Sequence, residues 1–77
     1  MNVGGYKHVY FVGIGGIGMS ALARYFIMRN VKVSGYDKTE TALTMKLVGE
    51  GIDITYEDNK EHLSEDIDLV VYTPAVP

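Results

Sequence analysis

Four glycines fall within six positions in the run FVGIGGIGMSALA, residues 11–23. Gly13, Gly15 and Gly18 have the spacing Gly-x-Gly-x-x-Gly, with Gly16 added between them. Such a cluster at the edge of an apolar run implies a task that Cβ atoms would obstruct. Holding phosphate is the task this spacing suits. Gly13 then permits a tight turn out of a strand, Gly15 admits a pyrophosphate to the backbone, and Gly18 lets a helix pack closely on the sheet. The first N–H groups of that helix, from about Gly16 through Ile17 and Gly18 to Met19, lack intrahelical acceptors and point at the anion. Ser20 offers a hydroxyl to the same anion, or else faces the sheet or solvent. The alternative for the whole loop is a purely structural tight turn. A strand before it and a helix after it favour phosphate.

Asp37 is the second feature. It follows Gly18 by about 20 residues, at the end of the strand-like run VKVSGYD, where an acidic side chain reaches ribose hydroxyls. The alternative is a capping role, since Asp37 and Glu40 have capping-box spacing. Adenosine and uridine riboses suit that carboxylate equally, so these residues alone specify a nucleotide diphosphate and no more. Tyr36 is placed to flank a base, and Lys38 reads as a solvated lysine. His8 and His62 have no acid–base partner at a diagnostic spacing and are expected at the surface or a strand edge. Glu57, Asp58, Glu61, Glu65 and Asp66 are expected to form a solvated face rather than a metal site. No nucleophile–base pair stands out, so the chain shows binding chemistry and no catalytic chemistry.

Elements must position these residues. Residues 7–12, KHVYFV, read as a buried strand ending at Gly13. A helix over 16 to about 29 follows, with Ile17, Ala21, Leu22, Tyr25, Phe26 and Met28 as its apolar face and Asn30 as its end. Residues 31–37 make a second strand. A second helix lies in TETALTMKLVGEG, capped by Thr39 or Thr41, with Glu40 near its positive end and Leu43 and Leu47 on one face. Gly49 or Gly51 closes it. IDITY is a weak third strand, EDNKEHLSED a loop with one or two helical turns, and IDLVVYT a fourth strand expected to be buried on both faces. The alternation predicts a Rossmann-like α/β domain, a parallel sheet of strand order 3-2-1-4 with flanking helices. Its switch point lies between strands 1 and 4, so the glycine loop and the TPAVP segment should line one crevice.

Composition sets the outer bounds. The 77 residues allow one small domain, which buries about 60–65% of its unfolded surface. A net charge of -3 argues against nucleic acid as a partner. The absence of cysteine removes disulfides and thiolate metal sites and suits the cytosol. No signal peptide is visible, and no apolar stretch nears the roughly 18 residues that span a membrane. The ending in a strand-and-loop segment reads as a cut from something longer.

The run Gly15 to Ala23, with VSGYD (33–37) and DLVVYTPAVP (68–77), resembles the N-terminal domain of the Mur ligases over about Lys7 to Pro77. Within that family it is most similar to the branch that adds L-alanine to UDP-N-acetylmuramate in peptidoglycan synthesis. The resemblance implies that residues 1–77 belong to the UDP-binding N-terminal domain. It implies that Gly15, Gly16, Ile17, Gly18 and Met19 cradle the diphosphate, that Ser20 adds a donor, and that Asp37 makes a polar contact to the uridine. A Ser-Ser-Ala-Ile/Val loop of the family falls on Thr73, Pro74, Ala75 and Val76, and the resemblance implies that Thr73 and Ala75 contact the nucleotide. Three positions depart from the pattern. Tyr10 stands where a histidine is common, the usual Gly-His after strand 3 is replaced near Glu57 and Asp58, and Pro74 lacks the hydroxyl and N–H of the family's second serine.

The family's reaction phosphorylates the muramyl carboxylate with ATP, then joins it to the amine of L-alanine. The resemblance assigns ATP, Mg2+ and the amino acid to a central and a C-terminal domain. No Gly-Lys-Ser/Thr motif occurs here, so this chain alone is expected to use no cofactor and to lack ligase activity. Its implied compartment is the cytoplasm, with the other domains as its partners. Other readings fit the glycine spacing: an NAD-binding module of a dehydrogenase or potassium-uptake regulator, the related murein-peptide ligase, or a folding domain with a vestigial site. GGIGMSALA with SGYD separates the chain from the dehydrogenases, and the Gly-Ile-Gly-Met-Ser run separates it from the murein-peptide ligase. An exposed edge on strand 4 further predicts self-association.

Overall fold

The structure, a computed structural model, describes residues 5–57 and 63–72. Its elements run β1 (His8–Val12), α1 (Ile17–Ile27), β2 (Lys32–Tyr36), α2 (Ala42–Gly49), β3 (Asp53–Thr55) and β4 (Leu69–Val71). The strands form one parallel sheet in the order β3-β2-β1-β4, as the alternation of the sequence predicts. Val9 pairs with Val33 on one side and with Leu69 on the other, which puts β1 at the centre of the switch point.

One sheet face carries the core. Val9, Phe11 and Val33 are buried with Ala23 and Phe26 of α1, Leu47 of α2, and Ile14, Val31 and Ile52. Phe11 and Phe26 meet edge to face with centroids 6.2 Å apart, a geometry favoured by the ring quadrupoles. Arg24 of α1 grips Glu50 bidentately, at 2.7 and 3.1 Å, and so ties α1 to the end of α2.

The sheet-facing side of α1 differs from the expected one. Ser20, Ala23 and Phe26 are buried, whereas Ile17 is 87% and Met28 78% exposed, and Ala21 and Leu22 face outward. This helix is apolar nearly all round, so periodicity alone could not choose its inner face; the sheet's position did. Ser20 is tolerated inside because its Oγ donates to the Ile17 carbonyl at 2.9 Å. The helix is shorter at both ends than expected, and Asn30 at φ 64° turns the chain out of it.

Thr41 caps α2. Its side chain accepts the Thr44 N–H while Thr44 Oγ1 accepts the Thr41 N–H, a reciprocal capping box. Glu40 lies before the cap rather than in the first turn. β4 corrects another expectation. Val70, opposite Tyr10, lies on the face away from the core and is 47% exposed, while Leu69 and Val71 are half-buried. Only one face of this edge strand meets α1's side of the sheet, which explains the difference. Residues 58–62 of the segment expected to hold a helical turn lie outside the described residues, and 63–68 are turn and coil.

Candidate functional site: the glycine loop

Gly13 leaves β1 at φ +81°, a conformation that L side chains rarely adopt. The turn is then held by the end of β2. Gly13 and Ile14 both donate to the Tyr36 carbonyl, at 2.8 and 3.1 Å, and Gly15 donates to Asp37 Oδ2 at 2.7 Å. Gly16 donates back to the Gly13 carbonyl at 3.1 Å. The amides of residues 13 to 16 are therefore all engaged.

The next acceptor–donor pair is Ser20 N–H to the Gly16 carbonyl, at 2.8 Å, and Gly16 offers no side-chain cap. Between them the N–H groups of Ile17, Gly18 and Met19 have no acceptor among the described residues. Three open donors at the positive end of an eleven-residue helix are an arrangement whose chemistry suits an anion. The Gly16 amide, expected among the open donors, is used inside the turn.

The close-approach role expected of Gly18 falls to another glycine. A Cβ on Gly18 would meet nothing within 4 Å, so Gly18 is not there for close helix–sheet packing. Gly35 of β2 is the close-approach glycine: a Cβ there would lie 2.8 Å from both the Phe11 carbonyl oxygen and Ile14 Cδ1. Its signal in the sequence was a glycine inside a strand pattern, which marks a close backbone approach. Gly15 does need its missing Cβ, but for a protein neighbour: Asp37 Oδ2 at 2.7 Å and Thr44 Cγ2 at 3.0 Å.

Asp37 thus lies against the loop. Its Oδ1 also accepts the Thr39 N–H at 3.1 Å, so it caps a turn and not α2. The Ser20 side chain is buried and its hydroxyl donates within its own helix, to the Ile17 carbonyl. Tyr36 is half-buried and Lys38 exposed beside Asp37. Thr73, Pro74, Ala75 and Val76 lie outside the described residues, as do Asp58, Glu61 and His62.

At the opposite, amino end of β1 the structure overturns a second expectation. His8 is 3% exposed. Its Nε2 lies 2.6 Å from Ser34 Oγ and its Nδ1 3.1 Å from Asp66 Oδ1. Asp68 Oδ2 accepts the N–H groups of Lys7 and His8 at 2.5 and 2.9 Å, and the Asp68 N–H returns to the His8 carbonyl at 2.8 Å. The Ser64 hydroxyl, first, and His8, second, hold the Asp66 carboxyl down at about 2. Those contacts bolt the approach to β4 onto β1. The Ser34–His8–Asp66 order resembles a hydrolytic triad, but Ser34 is buried within the sheet. No group of three or more metal-ligating side chains occurs among the described residues.

Comparison with known proteins decides the family. The profile of the Mur ligase family, catalytic domain, matches residues 8–77. This chain belongs to the Mur ligase family. The Mur ligase chain is 54% identical, over its whole length, to a UDP-N-acetylmuramate–L-alanine ligase of Flavobacterium johnsoniae. It is 55% identical, again over its whole length, to the protein of that name from Parabacteroides distasonis. It spans 18% of the length of each relative. A crystal structure of the UDP-N-acetylmuramate-alanine ligase of Thermotoga maritima superposes with a TM-score of 0.82 at 40% identity, covering 91% of this chain and 16% of that one. The fold that carries the parallel 3-2-1-4 sheet of this chain is therefore shared with a solved relative.

Proposed function

We propose that this Mur ligase chain is the N-terminal domain, or part of it, that holds the UDP portion of UDP-N-acetylmuramate. In the full-length protein it serves an ATP-dependent ligase that adds L-alanine during peptidoglycan synthesis, in the cytoplasm. One observation carries the reading: three unengaged N–H groups, of Ile17, Gly18 and Met19, at the carboxyl end of the central strand. Open α/β sheets bind ligands at that place, where the strand order reverses. The names of the aligned relatives supply the uridine nucleotide and the amino acid.

The diphosphate accepts from residues 17–19, and Gly13, Gly15 and Gly16 shape the turn that presents them. ATP and Mg2+ belong to the remainder of the full-length protein. The sequence has no Gly-Lys-Ser/Thr motif. Its described helices are not long and apolar enough to cross a membrane.

A two-dimensional NMR titration tests the reading. UDP-N-acetylmuramate should shift the amides of residues 17–19, and NAD should not; the reverse pattern would transfer the chain's site to dinucleotide binding. Self-association through the β4 edge, where Val70 is exposed, is checked by sedimentation velocity. A concentration-independent monomer refutes it.

A further inference from the structure

We propose that Asp37 is a positioning residue for the anion site and does not read the ribose. The fold leads one to expect the opposite, since an acid at the end of the second strand is the usual ribose contact. Here both carboxylate oxygens are already engaged by backbone: Oδ2 by the Gly15 N–H at 2.7 Å and Oδ1 by the Thr39 N–H at 3.1 Å. Hydrogen bonds to a carboxylate are among the stronger ones in a protein. Asp37 therefore stands in the loop as a built-in anion.

The consequence is a division of labour among the loop amides. Tyr36 and Asp37, adjacent at the end of β2, take the N–H groups of Gly13, Ile14 and Gly15. The diphosphate is left with Ile17, Gly18 and Met19. A Cβ on Gly15 would lie 2.7 Å from Asp37 Oδ2 and 3.0 Å from Thr44 Cγ2, so the carboxylate is packed against the loop as well as bonded to it. Asp37 acts through the loop, and its effect should be the same for any diphosphate, with or without a nucleoside.

This role rests on the nucleotide reading above, and the test separates the two. The 77-residue chain and its Asp37→Asn and Asp37→Ala variants are compared by NMR, first for hydrogen exchange at the Gly15 amide, then in titrations with UDP and with inorganic pyrophosphate. Asn and Ala are both neutral, so their comparison isolates the hydrogen-bond acceptor from the charge. Asn keeps an acceptor for Gly15, and one neutral hydrogen bond is worth about fivefold in a binding constant. The expected result is a Gly15 amide protected in the wild type and in Asp37→Asn and exposed in Asp37→Ala. Asp37→Ala should bind UDP and pyrophosphate about fivefold more weakly than Asp37→Asn, by the same factor for both ligands.

Weakening of UDP alone in both variants, with pyrophosphate unchanged, would overturn the proposal in favour of ribose contact. Loss of Gly15 protection on saturation with UDP would also overturn it, because the carboxylate would then be displaced. If the wild type binds neither ligand, the nucleotide reading fails, and the ligand-free exchange still decides: equal protection in Asp37→Ala refutes the clamp, and its loss supports it. Should Asp37→Ala not fold, a Gly15 amide unprotected in Asp37→Asn or in the wild type refutes the clamp, and protection in both supports it.

Discussion

His8 Nε2 and Ser34 Oγ lie 2.6 Å apart inside the sheet, joining the first residue of β1 to the middle of β2. Both side chains are buried, so each is the other's substitute for water. Ser34→Ala leaves the imidazole nitrogen without its partner and should destabilise the fold by about 1–3 kcal/mol. Urea unfolding at neutral pH measures it, and a change under half of that range would mean water replaces the hydroxyl.

Acid should loosen the same end of the molecule. Asp66 is lowered from 3.8 to about 2, chiefly by the Ser64 hydroxyl and then by His8. Asp68 is lowered by the backbone N–H groups of Lys7 and His8. Each carboxyl binds its proton at higher pH when unfolded than when folded. Their contribution to stability is thus complete above 3.8 and is lost as the pH falls below it, for Asp66 on passing through about 2. Asp66→Asn should flatten the pH dependence of the unfolding midpoint across that window, and an unchanged slope would remove Asp66 from the account.

Gly18 and Gly35 should respond oppositely to alanine. Gly18→Ala adds a methyl to open space on a helix and should raise stability by about 0.4–1 kcal/mol. If the amides of α1 hold diphosphate, it should weaken UDP binding all the same, by crowding the ligand. Gly35→Ala drives a Cβ to 2.8 Å from the Phe11 carbonyl oxygen and should lose about 1–3 kcal/mol. Thermal melts of the two variants provide the comparison; equal shifts would contradict it.

The inner face of α1 is checked by a matched pair of substitutions. Phe26→Ala empties a buried site and should destabilise by about 3–5 kcal/mol. Met28→Ser, on the exposed side, should stay within about 0.5 kcal/mol of wild type. A large effect at Met28 would place the apolar face where periodicity first suggested.

Loss of the α2 cap should be smaller. Thr41→Ala removes the acceptor for the Thr44 N–H and should lower stability by about 1 kcal/mol, with Thr41→Ser close to wild type. Denaturant midpoints of the two variants discriminate a cap from a general surface effect.

Local patterns in the chain were enough for the alternation of strands and helices, the order 3-2-1-4, a threonine cap at Thr39 or Thr41 and the place of the glycine turn. Each of those depends on neighbours a few residues apart or on a general rule of crossover handedness. The partners of single polar groups do not. His8 meets Asp66 across 58 residues and Gly15 meets Asp37 across 22, and nothing local in the chain announces either contact. Likewise α1 carries apolar residues on every side, so its buried face was set only when the sheet arrived to cover Ala23 and Phe26. By itself the sequence determined that a glycine turn feeds a helix at the end of a central strand. Only the tertiary structure decided which amides that turn leaves open, because the carbonyl and carboxylate that close the others come from the end of β2.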